Sequence, residues 1–336
     1  MKKYNLFSKT IKFIKNRQMA SRYLPLSMIY WQILDRLIAP LFPVNSSVAS
    51  KIHTHRHNEV KDFIDPLVVD IISEKLYTKN KINKSTGIVQ SGENVVWCLW
   101  YQGEDYAPKL VQKCIKSQRE FSKHNGFHFI LLTEENLWCF LKLTDFLKSK
   151  FKAGTISKTA FSDIARFCLL RDYGGIWFDA TDFVDVNRDF SIPDQDFFSI
   201  HQTHSLKVGT SKYISDYRWA PFFIYAKKGS LIPSLMMEFY LHYWDSNNIL
   251  ADYFLVDYAL DSFYRHVKNV QNQIDSIPNN NENFNYLLSH INDPYSKEAL
   301  RIAFSKNTWI QKISYKINIK RVVGGKRSLG SKLLKK

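Results

Sequence analysis

No stretch of this 336-residue chain resembles a membrane span, because an unbroken run of about 18 apolar residues is missing. The nearest candidate, residues 24–44, is interrupted by Pro25, Gln32, Asp35, Arg36, Pro40 and Pro43. A secretory leader is not evident either. The basic start is not followed by an uninterrupted apolar segment and a small-residue cleavage site. Cysteine is scarce. The four thiols, Cys98, Cys114, Cys139 and Cys168, lack metal-type spacing, and Cys98 and Cys168 sit in apolar runs. Reduced core thiols in a cytoplasmic protein are expected, not a disulfide framework or a zinc site. No internal repeat is found. His53, His55 and His57 alternate as on one face of a strand, but without the neighbouring Cys or acids of a metal site.

Acidic residues are missing from both ends. Seven Lys or Arg and no acid precede Asp35, and eleven Lys or Arg and no acid follow Glu298. Those eighteen exceed the net charge of +16, so the intervening residues net −2. A nearly neutral body with basic ends predicts attraction to an anionic surface. Nucleic acid is not expected as the partner, since the bases sit at the ends and no zinc-finger, RRM or KH signature occurs. Between Lys9 and Arg22 the bases mix with Ile11, Phe13, Ile14 and Met19. Two readings stay open there: an amphipathic element lying on a membrane, or a basic face whose apolar side packs on the core.

The richest stretch is Phe161 to Phe183, F-S-D-I-A-R-F-C-L-L-R-D-Y-G-G-I-W-F-D-A-T-D-F. Ile164, Phe167, Cys168 and Arg171 fall at helical spacing, and Ser162 is read as the cap of a helix starting near Asp163. Asp163 and Arg166, three apart, share a face. Gly174-Gly175 ends the helix and permits positive φ. Ile176, Trp177 and Phe178 read as a strand covered on both faces. Asp179, Thr181 and Asp182 follow at its end, where an open α/β sheet puts its ligands. Strand-like runs at Asn94–Trp100 and Phe127–Leu132 alternate with a helix over Ala107–His124, which predicts an α/β class. Three regions are expected: a basic, mainly helical stretch over 1–91, a catalytic body over 92–320 and a basic tail over 321–336. The polar residues 79–92 are read as a linker.

S-D-x-x-R followed by Y-G-G-I-W-F-D-A-T resembles the donor-site signature of family 32 glycosyltransferases and their capsular polysaccharide synthesis relatives. W-C-L-W-Y-Q-G-E-D-Y-A-P (Trp97–Pro108) is similar to that family's opening strand and first helix. W-I-Q-K-I-S-Y-K (Trp309–Lys316) is similar to its closing segment. The resemblance, covering about 94–316, implies a GT-A fold and a retaining hexosyl transfer from a nucleotide-sugar such as a UDP-hexose. It implies that Asp163 and Arg166 hold the donor sugar. It puts Trp100, Gln102 and Gly103 at the base and ribose, and Gly175 within the donor motif. Asp179 matches the first Asp of a D-x-D motif. Thr181 stands where many members have the second, the direct metal ligand.

The resemblance therefore implies a Mn²⁺ or Mg²⁺ cofactor, while Thr181 is a poor ligand for either ion. Asp182 is the candidate replacement, and Lys312 and Lys316 are candidate cations for the phosphates. Asp257, on a helix with an aromatic-rich face, is a candidate contact for the acceptor hydroxyl, and Asp252 is weighed beside it. Changing Asp179 to Ala is expected to abolish activity and leave the fold intact. The expected enzyme works on the inner face of the plasma membrane, on a lipid-linked oligosaccharide. A nucleic-acid-binding protein and a non-catalytic sugar-nucleotide scaffold are the alternatives.

Overall fold

Three parallel strands form one side of the main sheet: β1 (Val95–Leu99), β2 (His128–Leu132) and β3 (Gly175–Asp179). The computed structural model describes residues 11, 13–43, 46–79, 94–191, 193–202, 212–305 and 307–334. Two further strands, β5 (Phe197–Ser199) and β6 (Phe223–Ala226), complete a five-stranded mixed sheet in the order β2-β1-β3-β6-β5. β6 runs antiparallel to both β3 and β5. A separate pair joins β4 (Asp182–Val184) to β7 (Ile310–Lys312). The class is α/β, as expected. The central strand carries Ile176, Trp177 and Phe178 at 0–1% exposure, which is why its apolar run does not alternate.

Helices cover the sheet. α1 (Leu26–Leu37) and α2 (Ser47–Lys79) pack on each other, and α3 (Lys109–His124) links β1 to β2. α4 (Lys158–Asp172) leads into β3, and α5 (Leu231–Ser246) and α6 (Leu255–His266) follow β6. α4 begins earlier than its sequence suggested. Ser157, not Ser162, is the cap, and its hydroxyl accepts from the Ala160 N–H. Ser162 and Asp163 therefore lie one turn inside the helix. Gly174 and Gly175 take φ values of 74° and 97°, as the Gly-Gly pair predicted.

The expected boundaries need correction. α2 packs on α5 and α6, and Met28, Val60, Ile64 and Val68 belong to the same buried cluster as Trp177 and Phe178. The N-terminal helices thus share one core with the central sheet. Arg17, Gln32 and Arg56 reinforce the join. Arg56 pairs with Asp252 at 2.7 Å, and Arg17 donates to the carbonyls of Leu250 and Ala251. The expected C-terminal tail is folded as far as residue 334. Its short helix α7 (Leu329–Leu333) buries Leu329 and Leu333 against Leu110, Leu287 and Ile313. His53, His55 and His57 lie on helix α2, not on a strand. His53 meets Asp35, while His55 stacks on Trp31. The expected linker, apart from Lys79, lies outside the described residues, as does His204.

Candidate active site

An open cleft of about 530 Å³ lies at the carboxyl ends of β1 and β3. Leu99 to Gln102 and Asp179 to Thr181 line it from the strand ends. Lys158, Ser162, Asp163 and Arg166 line it from α4, and Phe222, Tyr253 and Asp257 from the region of β6 and α6. Lys312 and Tyr315 complete the lining from the closing segment.

A continuous chain of ion pairs runs through this cleft. Arg166 Nη1 lies 2.7 Å from Asp163 Oδ1, and its Nη2 lies 3.0 Å from Asp179 Oδ1. Lys312 Nζ lies 2.7 Å from Asp179 Oδ2 and 3.1 Å from Asp182 Oδ1. Local geometry explains each placement. Asp163 and Arg166 share a helix face. Trp177 and Asp179, two apart on a strand, share a sheet face, so the indole Nε1 donates to Asp179 Oδ1 at 3.0 Å. The Arg166 guanidinium stacks over the Trp177 ring. The β4–β7 register sets Lys312 opposite Asp182. Gln118, on α3, donates to the carbonyls of Asp179 and Asp182 at 2.9 and 2.8 Å and pins the turn between the strands.

The carboxylates differ in their proton affinity. Burial pushes Asp163 up to about 6, against the pull of Arg166. Burial likewise raises Asp257 to about 7, although the Trp219 indole donates to it at 2.9 Å. Burial raises Asp182 to about 8, with Lys312 opposing. Asp179 is buried too, but Lys312 and Arg166 outweigh that effect and hold it below its ordinary value. Asp179 is therefore the fixed negative charge of the cleft, while Asp163 and Asp257 titrate close to neutrality.

The residues present do not fit the metal that the resemblance implies. Asp179 Oδ1 already accepts from Arg166 and Trp177, and its Oδ2 from Lys312. Asp182 is fully buried. It accepts from the Asp179 N–H and from Lys312, and it does not line the cleft. Thr181 lines the cleft but offers only a neutral hydroxyl. Among the described residues no group of three His, Cys, Asp or Glu is placed to hold a metal ion.

The other sequence candidates divide. Trp100, Gln102 and Asp257 line the cleft. Gly103 does not. With φ at 85° it forms the turn that leads into Glu104–Tyr106. Gly175 sits at the start of β3, roughly 13 Å from Asp179 along the strand, so it cannot reach a cleft ligand. Its role is steric: a Cβ there would lie 2.3 Å from the Val95 carbonyl oxygen. Lys316 is exposed and lies outside the lining, one residue past Tyr315. Asp252 is buried against Arg56 and Gln32, away from the cleft. Sequence reasoning missed Lys158, whose ammonium lies 4.2 Å from the Tyr101 ring centre. It also missed Gln118 and the positioning role of Trp177. Only Trp177 carried a usable signal, its two-residue spacing from Asp179.

A mixed sheet with a charged cleft at its carboxyl edge defines a ligand-binding α/β protein. The chain belongs to the capsular polysaccharide synthesis protein family, whose sequence model matches residues 43–331. That match takes in all of α2 and reaches into α7. A solved structure, PaToxG glycosyltransferase, aligns over 72% of this chain and 93% of its own, at 13% identity and a TM-score of 0.32. Comparison with curated proteins gave no match.

Proposed function

We propose that the chain is a glycosyltransferase of the GT-A type. It moves a hexose from a nucleotide diphosphate, UDP in the first instance, to a lipid-linked oligosaccharide in capsule or other surface polysaccharide synthesis. The observation that carries this reading is the linked set Asp163, Arg166, Asp179 and Lys312 within one open cleft.

The residues divide the work. Arg166, buried and paired with both carboxylates, fixes Asp163 and Asp179 so that they can accept hydrogen bonds from sugar hydroxyls. Their charge also favours the positive character that develops on the sugar ring. The leaving diphosphate gathers negative charge, and Lys312 and Lys158 supply preorganised positive charge to the cleft. Trp100 and Tyr315, in edge-to-face contact at 5.6 Å, offer an aromatic wall for the base. Trp100 Nε1 is buried with no hydrogen-bond partner among the described residues. Asp257, titrating near 7, is suited to take the proton of the acceptor hydroxyl. Retention at the sugar carbon is carried over from the family resemblance.

The surface supports work at a membrane. Nine of the fifteen exposed large apolar side chains among the described residues fall between Ile11 and Val48, beside the acid-free N-terminal bases. No described helix is long and apolar enough to cross a membrane. We place the enzyme on the inner face of the plasma membrane.

Incubation with a panel of nucleotide-sugars, reading release of free nucleotide, tests the proposal. Turnover is expected with one donor and is expected to be lost in Asp179→Asn. Absence of both turnover and nucleotide binding across the panel contradicts it.

A further inference from the structure

The mismatch between the donor site and a metal points to a different source of charge. We infer that the Lys312 ammonium is the resident cation of this site and meets the donor diphosphate in place of a divalent metal. The inference rests on the donor-site reading above.

Lys312 is delivered by the fold, not by a free arm. Its strand pairs with β4 in a register that sets it opposite Asp182, and its backbone N–H donates to the Phe284 carbonyl. Its ammonium packs 4.7 Å from the Phe222 ring centre. The charge then falls between two carboxylate oxygens, at 2.7 Å from Asp179 and 3.1 Å from Asp182. A bridging metal would need those same two oxygens. Bound to Asp179 Oδ2 it would stand against the ammonium, two like charges contending for one pair of acceptors.

The oxygen count leads to the same conclusion. Mn²⁺ and Mg²⁺ want several hard oxygen ligands. Asp179 has both oxygens engaged, Asp182 is sealed from the cleft, and Thr181 brings no charge. An ammonium has three N–H donors. Two are directed at Asp179 and Asp182, and the third can go to a phosphate oxygen, because Lys312 itself lines the cleft. Arg166, tied to Asp163 and Asp179, keeps Asp179 in place from the other side. The Lys312 ammonium thus offers the phosphate a positive N–H donor without recruiting an ion.

Isothermal titration of the wild-type protein with UDP, GDP, ADP and dTDP separates the possibilities. Each titration is run in EDTA and again in Mn²⁺. One nucleotide is expected to bind with the same Kd, within about twofold, in both conditions. Binding in Mn²⁺ that EDTA abolishes overturns the inference and leaves the donor site standing. Binding in neither condition removes the donor-site reading, and this inference falls with it. Lys312→Met gives a second readout. In EDTA it is expected to bind the same nucleotide about tenfold or more weakly, the loss of one charge-assisted hydrogen bond. A folded Lys312→Met protein that binds as tightly as wild type in EDTA contradicts the assignment.

Discussion

At the scale of single residues, the cleft carboxylates turn position into pH dependence. Asp257 releases its proton near pH 7 when folded, against an ordinary value of 3.8. Between those values the native state holds a proton that the unfolded chain has lost, so this group's contribution to stability falls as pH rises. Asp163, raised to about 6, acts in the same direction. Asp257→Asn keeps an acceptor for the Trp219 indole and removes the buried charge. The variant is expected to melt a few degrees above wild type at pH 8, with the gap closing towards pH 4, as thermal melts across that range would read. A gap that is the same at every pH contradicts the assignment. If Asp257 is the base, the same variant loses about 10²-fold or more in kcat while its KM for donor changes little. Asp179 teaches the opposite lesson. Replacing it by Ala would leave Arg166 and Lys312 as under-compensated buried cations, at about 3–5 kcal/mol for a broken buried pair. The sequence alone suggests a truncation that abolishes activity and leaves the fold intact. Asn is neutral too and sets an amide N–H2 against one of the same donors, so either variant needs its folding checked before its activity is read.

Among the elements, legibility followed locality. The helix, the Gly-Gly stop, the buried strand and the acidic end are written within 23 consecutive residues, and each was readable from spacing alone. The start of α4 was misread because Ser162-Asp163 looks like a cap, whereas Ser157 supplies one a turn and a half earlier. The pairing of Asp182 with Lys312 was out of reach, since those residues lie 130 positions apart and no local pattern encodes the register. The Gln118 clamp was hidden for the same reason. Gly175 shows how tightly the elements are fitted. Its φ of 97° and a Cβ position 2.3 Å from the Val95 carbonyl leave no room for a side chain between β1 and β3. Gly175→Ala is expected to cost at least about 1–3 kcal/mol from backbone strain, with the clash added. Urea denaturation should read that loss directly. An unchanged midpoint contradicts the packing described here.

Taken as a whole molecule, the chain joins its basic N-terminal helices to the wall of the cleft. Arg56 and Gln32 hold Asp252, and Arg17 holds the carbonyls just before it. Tyr253 and Asp257, which line the cleft, follow within five residues. Composition exposed the charge asymmetry but not this connection, because the partners of Arg17 and Arg56 lie some 200 residues away. The apolar side chains of the N-terminal stretch divide between the core and the surface. Ala20, Leu24 and Met28 pack inward, while Met19, Tyr23, Leu26 and Tyr30 stay exposed. Replacing Met19, Leu26 and Tyr30 together by Ser is expected to weaken co-sedimentation with anionic liposomes and leave nucleotide binding intact. Equal sedimentation of variant and wild type removes the membrane-surface assignment.

The central claim is that the cleft at the ends of β1 and β3 receives a nucleotide diphosphate. A crystal structure of the protein soaked with UDP tests it most directly. The diphosphate is expected within hydrogen-bonding distance of Lys312 Nζ and the base against Trp100. UDP bound elsewhere on the protein, with this cleft empty, contradicts it.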